Sequence, residues 1–318
     1  MNPEVLILSG LYDFSSDLVA LELERARVPY ARLNREHLPD NRITLDPIAP
    51  TLSVDGPGGS WVAGPELRSI YFRQPIFLRN TPSLPLDVQE QLQRSQWHAF
   101  LRGLSVFRGA AWMNDPPATY LAESKPYQLA QAAACGFQVP ATIATNDAQG
   151  IRDRFAGDVV IKSLDTVLLH DGEDCLFTYT TVTRSEPLAT DALAAAPLLA
   201  QHALSPKTDI RVTLIGDRLF AVRIMAGGSG IAGDWRLAPR DTLEYRDVTL
   251  DDETANSCRR LVARLGLAFA AIDLLETPEG IMFIEVNPTG EWGWLSNPGR
   301  RIDAAVAGWL ADPPYGGL

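Results

Sequence analysis

"AAIDLLETPEGIMFIEVNPTGEWGWL", residues 270–295, runs two apolar stretches around a turn and then breaks into a carboxylate, an amide, a proline and two tryptophans. Thr277-Pro278-Glu279-Gly280-Ile281 reads as a three-residue hairpin loop, with proline pre-set for the first turn position and glycine supplying the left-handed one. Pairing Thr277 with Ile281 sets Asp273 directly across from Glu285, and strand alternation puts Asn287 on the same face. Two carboxylates held opposite each other repel unless a proton or a hard cation lies between them. Carboxylates plus an amide oxygen suit Mg²⁺, which keeps waters and takes further ligands from nucleotide phosphates. The same spacing also suits two solvated strand-end acids followed by an Asn287-Pro288 turn.

Upstream, "EVLILSG" is a buried-type strand and "SSDLVALELERARV" has apolar residues at helical spacing, with Ser15 or Ser16 as N-cap. "RSIYFRQPIF" reads as a strand and "PLDVQEQLQRSQWHAFLRGLSVF" as a long helix, after which Asn114-Asp115-Pro116-Pro117 marks a first boundary. "SKPYQLAQAAACGF" is a helix capped by Ser124, and "DVVIKSL" is a strand with Lys162 near its end. "KTDIRVTLIGDRLFAVRIMAG" gives two strands around a Gly216-Asp217 turn. These elements predict an α/β (α+β) chain with antiparallel character in its middle segment.

At 318 residues the chain is about two average domains long, and 46% hydrophobic with 21% charged residues marks it as globular. A net charge of −11 argues against sequence-independent binding to nucleic acid or to an anionic membrane. Cys135, Cys175 and Cys258 form no CxxC pair, which fits a reducing cytoplasm, and the N-terminus reads as a strand rather than a signal peptide.

Over nearly its full length the chain resembles the ATP-grasp carboxylate ligases, on "AAIDLLETPEGIMFIEVNP" above all. With "WMNDPPATYLAESKPYQLAQAAACGFQVPATIATND", "VVIKS", "FTYTTV", "KTDIRVTLIGDRLFAVRI", "DWR" and "IEVNPTGEWGWL" it looks like the microviridin-type, or graspetide, macrocyclases that crosslink ribosomally made peptides. The resemblance implies an ATP-grasp fold: a pre-ATP-grasp α/β domain over 1–113, a central lobe over 114–199 and a C-terminal lobe with the metal site over 200–318. It implies ATP and Mg²⁺ as cofactors, with Asp273, Glu285 and Asn287 on the metal and Lys125 and Lys162 on the phosphates. Gln201, His202, Ala203 and Leu204 match the hinge that pairs with adenine. Lys207, Asp209 and Arg211 match "K.DiRv"; Arg211, Arg223 and Arg236 are the candidate clamp on the transferring phosphoryl group, and Arg73 of "YFR" a substrate contact. The implied partner is a precursor peptide with a leader and an acidic core, the implied assembly a homodimer. The segment "KSLDTVLLHDGEDC" departs from many relatives in having one glycine, so its phosphate lid is expected to be built differently.

Other signals are weaker. "GSGIAG", residues 228–233, is formally GxGxxG, but "DWRLAPRDTLEYRD" after it is no helix, which removes the dinucleotide reading. His37, His98, His170 and His202 lack metal-ligand spacing. Trp292 and Trp294 suit either core packing or the floor of a peptide groove. Two alternatives to a peptide macrocyclase stand beside it: a ligase joining free amino acids, and an inactive nucleotide- or peptide-binding module.

Overall fold

The computed structural model describes residues 2–73, 86–165, 168–171, 174–177 and 180–314. Val5–Ser9, buried at every position, lies inside a four-stranded parallel sheet ordered Tyr30–Asn34, Val5–Ser9, Ser69–Phe72, Ala111–Met113. An apolar run without alternation is what a strand covered on both faces requires. The helix that follows is Phe14–Arg25, and its N-cap is Asp13, whose carboxylate accepts from the Ser16 amide. Ser15 and Ser16, expected as caps, are buried in the first turn instead. The strand expected over 68–77 forms over Ser69–Phe72, while 74–77 lie outside the described residues. A three-stranded antiparallel sheet, Arg42–Asp46, Thr51–Gly56 and Gly59–Ala63, was not read from the sequence. The long helix forms over Val88–Gly103, where Asp87 and Glu90 complete a reciprocal capping box.

A second four-stranded sheet, ordered Thr181–Arg184, Asp158–Lys162, Leu198–His202, Thr142–Thr145, is antiparallel throughout. The third sheet has five strands, ordered Leu243–Asp247, Arg218–Ala226, Thr208–Ile215, Phe269–Thr277, Gly280–Asn287. One of its faces carries Ile210, Val212, Ile272, Leu274 and Phe283 into a core with Leu129 and Ala132 of the Lys125–Ala134 helix and Leu261 of the Asp252–Arg264 helix. Its other face packs Ile215, Val222 and Phe269 against Val5, Val19 and the Ile302–Ala311 helix. Beyond that packed end the same face continues to Arg211, Asp273 and Asp209, which strand alternation keeps in line. Among the described residues no helix is long and apolar enough to cross a membrane.

Candidate active site

The hairpin brings Asp273 opposite Glu285, though by another route than the sequence suggested. Its loop has two residues, Pro278 and Glu279, because Thr277 pairs with Gly280 rather than Ile281. That register alone would set Asp273 against Ile284. A bulge between Asp273 and Leu274 inserts Ile284 as an extra residue and restores the pairing of the two acids. It also turns consecutive residues to one side, so Ile284 and Glu285 both line the same cavity. Asn287, two residues on, is exposed and its Oδ1 accepts from the Thr289 amide.

Two like charges at about 4 Å cost roughly 4 kcal/mol at an effective dielectric near 20, so the pair needs cations around it. Arg211 Nη1 donates to Asp273 Oδ1 at 2.8 Å. Arg236 reaches Asp273 Oδ2 at 3.4 Å and Glu285 Oε1 at 3.5 Å, long contacts shared with Asp234. Burial pushes the Asp273 carboxyl above its usual range; Arg211 opposes this and Glu285 adds to it. For Glu285 burial is outweighed by Lys162, Arg236 and Lys125, which hold its carboxyl well below the ordinary range. Burial lowers the Lys162 ammonium in turn, while Glu285 and Asp273 draw it back up. The two carboxyls are thus drawn apart, Asp273 upward and Glu285 downward, with Glu285 facing the charge of a lysine from a different sheet.

The cavity in front of them, about 850 Å³, lies between the antiparallel four-stranded sheet and the five-stranded sheet. Of the residues singled out in the sequence, Lys162, Gln201, His202, Ala203, Leu204, Lys207, Asp209, Arg236, Asp273 and Glu285 line it. Val160, Val182, Leu204, Leu275 and Ile284 supply the apolar walls of this slot. Gln201 is buried, accepts from Lys162 Nζ at 3.3 Å and donates to Thr142 Oγ1 at 2.9 Å. Lys207 Nζ holds Asp209 at 2.5 Å, and burial still raises that carboxyl. Lys125, at the start of its helix, donates to Leu164 O at 3.3 Å and acts on Glu285 through its charge. The lid segment after Lys162 lies partly outside the described residues.

Two sequence expectations are corrected. Arg223 pairs in register with Ile210, on the face turned toward the helices, and is held by Glu276 at 2.7 and 2.8 Å; it does not join Arg211 and Asp273. Arg73 is buried, bonded to Asp13, Glu291 and the Thr289 and Gly290 carbonyls, and so ties the parallel sheet to the loop after Asn287 instead of facing a substrate. Trp292 is fully buried with its indole N–H donated to Tyr71 Oη, whereas Trp294 is only half-buried. "GSGIAG" lines the cavity as a loop whose Gly230 lies against the Lys207 carbonyl too closely for any side chain.

The sequence reading missed two buried amides that fix the strand carrying Glu285 and the turn after it. Asn114 Nδ2 donates to Phe269 O and Pro288 O at 2.8 Å, while its Oδ1 accepts from the Ala268 and Phe269 amides. Gln128 Nε2 donates to Val286 O at 2.7 Å and its Oε1 accepts from Val286 N at 3.0 Å. Glu285 and Asn287 flank Val286, so both are set on a backbone clamped from outside the sheet.

No family model matches the chain. By sequence it is 27% identical over 221 residues to a probable alpha-L-glutamate ligase of Mannheimia succiniciproducens, covering 66% of this chain and 71% of that one. The structure of a RiPP-associated ATP-grasp ligase of Chryseobacterium gregarium, in complex with ADP and a leader and core peptide, matches with a TM-score of 0.83 at 23% identity, over 99% of this chain and 98% of that one. Macrocyclase MdnC of Microcystis aeruginosa, bound with precursor peptide MdnA, matches with a TM-score of 0.81 at 21% identity, over 98% and 100%. The chain has the ATP-grasp fold.

Proposed function

We propose that the protein is an ATP-dependent ligase that activates side-chain carboxylates of a ribosomally made peptide and closes ester or amide crosslinks within it. The observation that carries this reading is the opposed Asp273 and Glu285 pair, ringed by Lys162, Arg211 and Arg236, in a cavity that also has apolar walls. Adenine fits the slot beside Ala203 and Leu204, and Lys162 and Lys125 meet the phosphates. The donor set of two carboxylates and an amide suits a hard cation: Asp273, Glu285 and Asn287 would hold Mg²⁺, which when bound neutralises charge on the phosphates. Arg211 fixes Asp273, and Arg236 stands ready for charge on the transferred group.

In the reaction a substrate carboxylate oxygen attacks the γ-phosphorus, the bond to the β-phosphate oxygen breaks, and ADP leaves. A hydroxyl or amine of the same peptide attacks the acyl carbon, phosphate departs with the electron pair of the broken C–O bond, and the nucleophile's proton passes to solvent. No nucleophile of the protein is consumed. The same reading makes the enzyme a cytoplasmic homodimer with a leader-bearing peptide as partner, expectations that rest on the resemblance and that the molar mass in solution would check.

The test is the intact mass of an acidic, Thr-, Ser- or Lys-bearing peptide encoded beside the protein's own gene, incubated with the protein, ATP and Mg²⁺. Loss of whole water masses with the wild type and none with Glu285→Ala supports the ligase. ADP release on free amino acids with the peptide unchanged would replace it by an amino-acid ligase.

A further inference from the structure

The cavity wall does not end at the carboxylate pair. Trp235, one residue before Arg236, lines the cavity, and its ring lies 5.6 Å from that of Trp294, which lies 5.0 Å from Tyr245. Trp294 packs only against the margin of the core that takes Trp292: it is half-buried, its Nε1 donates to the Glu291 carbonyl, and two other rings lie tilted against it. The three rings form a shelf that starts at the cavity wall and includes Trp294 of the loop that follows Asn287. Its flanks are apolar too. Leu237 is 60% exposed, and Phe14, 56% exposed, sits so close to Gly293 that a Cβ there would stand 2.8 Å from the Phe14 ring. Tyr12, two residues before Phe14, is 91% exposed. Single exposed apolar side chains mean little, but a run of them continuous with a site marks a recognition surface.

Its charge says what it takes. The protein carries a net −11, yet the acids Asp234, Glu244 and Glu291 beside the shelf are each ion-paired to an arginine, and Arg236 and Arg240 stand at its edge. The Arg236 guanidinium lies 5.3 Å from the centre of the Trp235 ring and holds its three carboxylates, Asp234, Asp273 and Glu285, only by contacts of 3.4 to 3.5 Å. Arg240, exposed and four residues on, makes no ion pair among the described residues, and its charge acts on the Tyr245 hydroxyl. Guanidinium groups beside aromatic faces suit a chain that carries carboxylates on an otherwise flat backbone.

We propose that Trp235, Trp294 and Tyr245, edged by Arg236 and Arg240, are the surface that holds the acidic segment of the peptide. Arg236 takes the carboxylate at the reaction centre, Arg240 takes a second one further along, and the rings cover the backbone between them. This deepens the ligase reading and rests on it for the choice of a peptide.

The experiment measures binding rather than turnover. A fluorescein-labelled copy of the acidic peptide is titrated with wild type, Trp294→Ala, Trp294→Phe and Arg240→Gln, and the ratio of peptide Kd to ADP Kd is compared. The ratio is expected to rise about tenfold in Trp294→Ala, to return in Trp294→Phe, and to rise roughly threefold to tenfold in Arg240→Gln, with the last effect fading in high salt. Arg240 is exposed, so its arm does not depend on folding. An unchanged ratio in both Trp294→Ala and Arg240→Gln, or a wild type that does not bind the peptide, overturns the proposal. A wild type that binds through the shelf but removes no water from the peptide would sink the ligase reading and leave the shelf standing.

Discussion

Replacing Gln128 with leucine, which has nearly its shape, strips three hydrogen bonds and leaves the packing close to intact. The amide donates to Ala122 O at 2.5 Å and Val286 O at 2.7 Å and accepts from Val286 N at 3.0 Å, all in a buried setting. Gly280–Asn287 is an edge strand, so the Val286 groups that point away from the sheet have no other strand to turn to. Three orphaned backbone groups cost about 1–3 kcal/mol each, and the buried leucine returns about 1–2 kcal/mol, for a net loss of roughly 1–8 kcal/mol. At about 2 °C per kcal/mol for a chain of this size, the melting temperature falls by roughly 2–16 °C in a calorimetric scan. Because Glu285 and Asn287 flank Val286, the Mg²⁺ concentration for half-maximal turnover should also rise at least about tenfold. A melting temperature within about 1 °C of wild type, with unaltered Mg²⁺ dependence, would refute the claim that this amide anchors the strand.

Other substitutions separate the corrected residues from the site. Arg223→Met removes a half-exposed ion pair with Glu276, so stability should change by less than about 1 kcal/mol and turnover by less than about twofold; a loss of turnover on the scale of Arg211→Met would return Arg223 to the reaction. Gly290→Ala would place a Cβ 2.5 Å from that of Ala271 and 3.2 Å from that of Asn287. Overpacking of this kind costs about 1–3 kcal/mol, read by urea unfolding, and it bears directly on Asn287. Asp251 caps the Asp252–Arg264 helix by accepting from the Thr254 amide and hydroxyl, which lowers its carboxyl below the usual range. A depressed folded-state value gives stability that is present above the unfolded value and is lost as pH falls through the folded one. Asp251→Ala should therefore cost about 0.5–1 kcal/mol near pH 7, the low end for an exposed cap, and progressively less below about pH 4. A gap that widens on acidification would contradict this.

Much of the fold was legible because its elements are marked locally. The unalternating apolar run at Val5–Ser9, the Gly216-Asp217 turn and the apolar spacing of the long helices each fix an element by short-range chemistry. The Gly216-Asp217 turn also held information that was not used. A two-residue loop pairs Ile215 with Arg218, and counting back along the ladder sets Arg223 against Ile210 and Val222 against Arg211. Arg223 is on the wrong face by that arithmetic alone. Asn114 and Gln128 gave no such signal. Their partners at Pro288 and Val286 lie 174 and 158 residues along the chain, and an uncharged amide in a bend or a helix looks like any surface amide until the chain returns to it.

The hairpin shows why a correct pairing can follow from an incorrect loop. A three-residue loop without a bulge and a two-residue loop with one extra residue in the strand give the same partner for Asp273, since both add one residue between Thr277 and Glu285. They differ in what faces the cavity. Without the bulge, alternation would turn Ile284 away from Glu285, and the slot would lose one of its apolar walls. With it, a carboxylate and an isoleucine that are neighbours in sequence become neighbours in the cavity. Bulges are placed by the packing of both strands, here by Gln138, whose carbonyl accepts from Phe283 N at 2.8 Å just before the extra residue, and by Gln128 just after Glu285. Both contacts come from outside the hairpin, which is why its own sequence gives the acids but not the geometry that makes them a site.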